Sequence, residues 1–237
     1  MNGPSSAIRS RLDEVRGRIT RAAGRAGRDP GSVALVGVVK TVPDEAIREA
    51  VAFGLADLGE NRVQEAQGHI GSLGRQGVRW HLIGHLQRNK AGQAVELFDR
   101  VHGVDSVELA EALSRRAVAA GRRLAVLVQV NVSGEATKFG VAPQAVEGML
   151  AQVAALPGLA LDGLMTVGAP VGSADQARPG FARLRALRDA GERGLGLRLP
   201  ELSMGMSGDF EIAVEEGATL VRVGSALFGG RSGPGRD

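Results

Sequence analysis

Along the 237 residues the hydrophobic pattern changes period once and then alternates to the end. From about Ser6 to Gly27 apolar residues recur at helical spacing among Arg and acidic residues, which predicts one amphipathic helix. Asp29-Pro30-Gly31-Ser32 ends it, because these residues favour turns over a continuing helix. Beyond that point short β-branched runs alternate with helical stretches. The runs are VALVGVVK (33–40), ADLGEN (56–61), WHLIG (80–84), RVHGVDS (100–106), LAVLVQVNV (124–132), LALDGLM (159–165), PELSMGM (200–206) and ATLVRVG (218–224). Alternating β and α elements require parallel strands joined by right-handed crossovers, and eight of them close into a barrel. The expected fold is α/β, a (β/α)8 TIM barrel with an extra N-terminal helix; an open doubly wound sheet is the alternative. One domain is expected over 1–230, followed by a Gly-rich disordered tail at 231–237.

Composition narrows the chemistry. Hydrophobic residues make up 43% of the chain and aromatics 3%, so the core must be built from Val, Leu, Ile and Ala. With no Cys, disulfides, thiol catalysis and thiolate metal sites are excluded. The high pI, about 10.1, comes from Arg, which does not titrate in the ordinary range. Those Arg residues are scattered among acids without the interleaved aromatics of single-strand binders, so no nucleic-acid partner is expected. The N-terminus shows no signal-peptide pattern, and no apolar run reaches the roughly 18 residues of a membrane span. A cytoplasmic protein that spans no membrane is expected.

Only three lysines occur, Lys40, Lys90 and Lys138; every other basic residue is Arg. Lys alone of the two can deprotonate and condense with an aldehyde. Lys40 closes the apolar run VALVGVV at the C-terminal end of the first strand, where barrels build their sites. A lysine there can equally be reaching solvent. Lys90 and Lys138 lie in polar segments and read as surface residues.

The last two units carry a candidate anion cradle. Ser207 stands before GDFEIAVEEG as an expected helix N-cap, with Gly208 beside it, and Gly224 and Ser225 follow the strand LVRV. Each is ordinary alone, but closure would set them beside Lys40, and loops after strands 7 and 8 are a frequent phosphate position in barrels. Arg222 shares a strand face with Leu220 and Gly224, so it is expected to point inward and to need an acceptor, for which a barrel carboxylate or a pyridine nitrogen would serve. His81 and His85 have a spacing that suggests metal on a helix, but here they fall in a strand and a loop, and no metal site is expected. Trp80 reads as a core or rim residue.

VVKTVP around Lys40, GENRVQEA (59–66), WHLIGHLQRNK (80–90), NVSGEATKFG (131–140), GLMTV (163–167), LSMGMSGDF (202–210) and VRVGSALFG (221–229) together resemble the pyridoxal phosphate homeostasis protein family. The resemblance implies the barrel of fold-type III pyridoxal-phosphate proteins, with Lys40 as the Schiff-base lysine and Asn61 near the cofactor ring. It places Ser207, Gly208, Gly224 and Ser225 on the phosphate and Arg222 against the pyridine nitrogen. The chain departs from the family's usual Ser before the lysine, having Val39 there. It implies a monomer that carries or buffers pyridoxal 5′-phosphate, with apo pyridoxal-phosphate enzymes as possible recipients, and no catalytic residue.

The rival reading is an amino-acid racemase on the same barrel. Two-base racemisation needs a second acid/base, in that family a Tyr from an additional domain, and this sequence has no Tyr. Arg222, permanently cationic, also disfavours a protonated pyridine and so weakens the ring as an electron sink. A third reading, a Schiff-base aldolase with Glu60 beside the lysine, would show no bound chromophore.

Overall fold

The computed structural model describes residues 4–135, 138–168 and 174–229; the tail expected at 231–237 lies outside them. Eight parallel strands, β1 (Ala34–Val38), β2 (Asp57–Glu60), β3 (Arg79–Leu82), β4 (Arg100–Val104), β5 (Leu124–Gln129), β6 (Leu159–Met165), β7 (Glu201–Ser203) and β8 (Leu220–Val223), form a closed barrel in chain order. Val36 of β1 pairs with Asp57 on one side and Arg222 on the other, so the first strand joins the last. The doubly wound alternative is thereby excluded. Each strand is covered on both faces, which is why these segments read as continuous apolar runs.

The helices ring the barrel: α1 (Pro4–Arg25), α2 (Asp44–Ala52), α3 (Val63–Leu73), α4 (Ala91–Leu97), α5 (Val107–Ala119), α6 (Val146–Ala154), α7 (Arg178–Leu195), α8 (Phe210–Glu215) and α9 (Ser225–Phe228). The extra helix α1 buries Leu12, Val15, Ile19, Ala22 and Ala23, a stripe at helical spacing, and packs on α8, α9 and α2. Its outer face is tied to α8 by Arg18 on Glu211 at 2.7 Å and Arg25 on Glu215 at 2.7 Å. The main core lies between strands and helices and includes the fully buried Trp80, Phe98, Phe181 and Phe210. A separate cluster of Val36, Leu127, Met165 and Leu220, from four strands, fills part of the barrel interior. None of the described helices is long and apolar enough to cross a membrane.

Candidate functional site

The C-terminal ends of β1 and β8 meet at one mouth of the barrel. Lys40 is exposed there, two residues past β1, within a turn in which the Val42 N–H donates to the Val39 carbonyl at 2.9 Å. Lys40 and Thr41 take the two central positions of this turn. Thr41 has φ 61, the one positive value at a non-Gly residue among the described residues. A β-branched side chain is strained in that region by about 1–2 kcal/mol, and such strain clusters at functional sites.

Asn61 follows β2, which runs beside β1 in the register Val38↔Gly59, so it lies at the level of Lys40. The next loop presses on it: a Cβ on Gly84 would fall 2.3 Å from the Asn61 carbonyl oxygen. Only Gly fits at that approach.

On the other side, Gly224 brings the end of β8 against β1; a Cβ there would lie 3.2 Å from Val38 Cβ. The Ser207 hydroxyl oxygen accepts from the Gly224 N–H at 3.3 Å and the Ala226 N–H at 3.4 Å. The loops after β7 and β8 are therefore joined, and the amide hydrogens opening α9 point at an oxygen. The expected N-cap role of Ser207 is corrected: Asp209 occupies that position, and its Oδ1 takes the Met206 N–H at 2.6 Å. Two good capping residues lie two positions apart, and the chain uses Ser207 to bridge loops instead. Gly208 and Ser225 are both exposed at this mouth, and a Cβ on Gly208 would meet open space.

Arg222 does point inward and is 3% exposed. Its acceptors are the Ser203 hydroxyl, 2.6 Å from Nη1, and the Thr166 carbonyl, 2.8 Å from Nη2. Neither is the carboxylate considered from the sequence. Burial lowers its pKa to about 10, against the pull of Asp209. A buried guanidinium is tolerated because both ends of its fork are hydrogen-bonded.

Sequence reasoning missed what lies behind Arg222. Ser203 Oγ is 2.8 Å from His102 Nδ1, His102 Nε2 is 2.9 Å from His81 Nδ1, and His81 Nε2 is 2.8 Å from Asp57 Oδ1. Arg79 closes the line with two bonds of 2.7 Å to the Asp57 carboxylate. All four linking side chains are buried. Burial pushes Asp57 up, but hydrogen bonds from His81 and Arg79 outweigh it and hold the carboxyl below its usual range. Burial, reinforced by the neighbouring His81 ring and by the positive charges of Arg222 and Arg100, drives His102 well below the usual histidine range.

His85 lies apart from His81, exposed, stacked on Phe139 at 3.9 Å and bonded to Asp105 at 3.0 Å. Among the described residues no cluster of His, Cys, Asp or Glu is placed to hold a metal ion. Lys138 is corrected from a surface residue to a half-buried one, paired with Glu135 at 2.8 Å. Trp80 is wholly buried in the core. Glu60, the residue the aldolase reading needed, is buried with one oxygen 2.5 Å from His69 of α3. Burial raises its pKa despite that bond.

Residues 10–232 match the model of the alanine racemase N-terminal domain. The pyridoxal phosphate homeostasis protein of Pseudomonas aeruginosa is 46% identical over 226 residues, covering 95% of this chain and 96% of the relative. That of Aquifex aeolicus is 43% identical over 221 residues, covering 93% and 97%. Among solved structures, PipY of Synechococcus elongatus, with PLP bound, superposes with a TM-score of 0.82 at 40% identity, covering 94% of this chain and 100% of that one.

Proposed function

Because the chain belongs to the pyridoxal phosphate homeostasis protein family, built on the alanine racemase N-terminal domain, we propose that it binds pyridoxal 5′-phosphate on Lys40 and carries or buffers it without robust turnover. The observation that carries this reading is the convergence at one mouth of an exposed amine, a buried guanidinium and amide hydrogens already aimed at an oxygen. These groups fit the cofactor. When bound, the cofactor supplies an aldehyde that condenses with the Lys40 amine, releasing one water, and a ring that can withdraw electrons.

Each residue then has a task. The strained turn at Thr41 fixes the direction in which Lys40 leaves the barrel. Ser207, Gly208, Gly224 and Ser225 offer hydroxyl and amide donors to the phosphate, as Gly224 and Ala226 now do to Ser207 Oγ. Asn61, held by the close approach of Gly84, flanks the ring. Arg222 donates to the ring nitrogen and keeps it unprotonated, which leaves a poor electron sink. With no Tyr in the sequence, the second acid/base of a two-base racemase has no obvious source.

The physiological partners under this reading are the cofactor and apo pyridoxal-phosphate enzymes in the cytoplasm, met by a monomer. Purified full-length protein is expected to absorb in the visible range, to lose that band on borohydride reduction, and to lack it in Lys40→Ala. Preloaded protein mixed with an apo pyridoxal-phosphate enzyme should activate it on a time course different from free cofactor at equal concentration. Sustained racemisation of alanine would favour the racemase reading, and protein that takes up no cofactor would end the proposal.

A further inference from the structure

The buried line from Arg222 to Asp57 has a direction fixed by its partners. Asp57 is a carboxylate chelated by Arg79, so His81 must donate to it through Nε2–H. A neutral His81 then has only a lone pair on Nδ1, and His102 must donate through its own Nε2–H. Neutral His102 is left with an acceptor at Nδ1, which takes the Ser203 hydroxyl hydrogen. Ser203, its one hydrogen so used, accepts from Arg222. Every donor in the line points from the mouth toward Asp57. Aligned hydrogen bonds of this kind polarise one another and are strongest when each member is satisfied.

Tethering Arg222 requires only Ser203 and the Thr166 carbonyl. The two imidazoles and the carboxylate go further, in an interior whose neighbouring positions are filled by Val36, Leu127, Met165 and Leu220. Desolvating an extra carboxylate and two imidazoles is unfavourable compared with apolar side chains of similar volume. A load-free explanation would be packing, but apolar residues pack such interiors without that penalty.

We propose that Asp57, His81, His102 and Ser203 are positioning residues for Arg222, a one-way relay that holds its guanidinium toward the ring nitrogen and lets charge at the far end of the barrel act on the bound cofactor. This inference rests on the cofactor reading above. The other charged groups bearing on the line are Arg79, the Arg100 cluster with Asp162 and Glu201, and Asp209 beside Arg222.

The test is the pH titration of the visible band of bound pyridoxal 5′-phosphate in the full chain, for wild type, Asp57→Asn, His102→Phe, Ser203→Ala and Ser203→Thr. Asp57→Asn removes a negative charge, which disfavours the protonated chromophore, so its midpoint should fall by about half a pH unit or more. His102→Phe and Ser203→Ala should also move the midpoint, and Ser203→Thr, which restores the hydroxyl, should return it to the wild-type value. Variants that hold the cofactor with unchanged midpoints would overturn the relay alone; wild type that takes up no cofactor would overturn the reading beneath it. A second measurement needs no variant: nitrogen-15 spectra of the imidazoles in cofactor-free wild type. His81 and His102 should both be neutral Nε2–H tautomers near neutral pH. An Nδ1–H tautomer or an imidazolium at His102 would overturn the proposal.

Discussion

Thr41 offers a direct way to weigh the turn that carries Lys40. Its φ of 61 places a Cβ against the following carbonyl, a conformation that costs an L-residue about 1–2 kcal/mol. Thr41→Gly removes that strain but adds about 0.5–1 kcal/mol of chain entropy to be lost on folding. The side chain is exposed, so little packing is lost. The net expectation is a gain of about 0.5–1 kcal/mol, or roughly 1–4 °C in Tm for a chain of this size. Thr41→Asn should gain less, since Asn tolerates the left-handed region only partly, and Thr41→Ala, which keeps the Cβ, should stay within about 0.5 kcal/mol of wild type. The same glycine frees Lys40 to move, so affinity for pyridoxal 5′-phosphate should fall by about two- to ten-fold as an immobilised side chain must be ordered again. Urea unfolding and absorbance titration on the same samples measure both. A glycine variant less stable than wild type, or an alanine variant as stable as the glycine variant, would refute the claim that strain is stored in this turn.

His102 is buried and neutral with a depressed pKa, so the unfolded chain binds a proton that the folded one does not, and stability should fall as pH drops below about 6.5. The slope is at most about 1.4 kcal/mol per pH unit, and His102→Phe should flatten it in urea titrations run from pH 5 to 8. Glu60 has the opposite sign: its raised pKa means the folded state holds the proton more tightly, so stability is lost as pH rises above 4.5 through the folded value. Glu60→Gln should remove that loss and leave the visible band intact, because the side chain faces His69 and not the mouth. Gly84→Ala should cost about 1–3 kcal/mol and weaken cofactor binding, since the new Cβ collides with the Asn61 backbone.

The barrel was legible because parallel strands buried on both faces read as unbroken apolar runs, and each of the eight predicted runs contains or overlaps a strand. Lys40 stood out by scarcity and by its place at a strand end. The relay was not legible in the same way. Asp57, His81, His102 and Ser203 come from four strands, and only closure in register brings them into line. A faint signal existed: both histidines are third in their strands, RWHL and RVHGV, at the parity that faces the interior. The sequence reads His81 as a packing or hydrogen-bonding residue and not a metal ligand, but it names no partner, and only the closed barrel supplies His102 and Asp57. Ser207 was misplaced for a related reason, since composition marks both it and Asp209 as caps and only the loop path decides between them.

The measurement closest to the central claim is peptide mapping of the full-length protein after loading with pyridoxal 5′-phosphate and reduction with borohydride. The account predicts one reduced adduct, on the peptide bearing Lys40, with Lys90 and Lys138 unlabelled and no adduct in Lys40→Ala. Label spread over the three lysines, or persisting in Lys40→Ala, would contradict it.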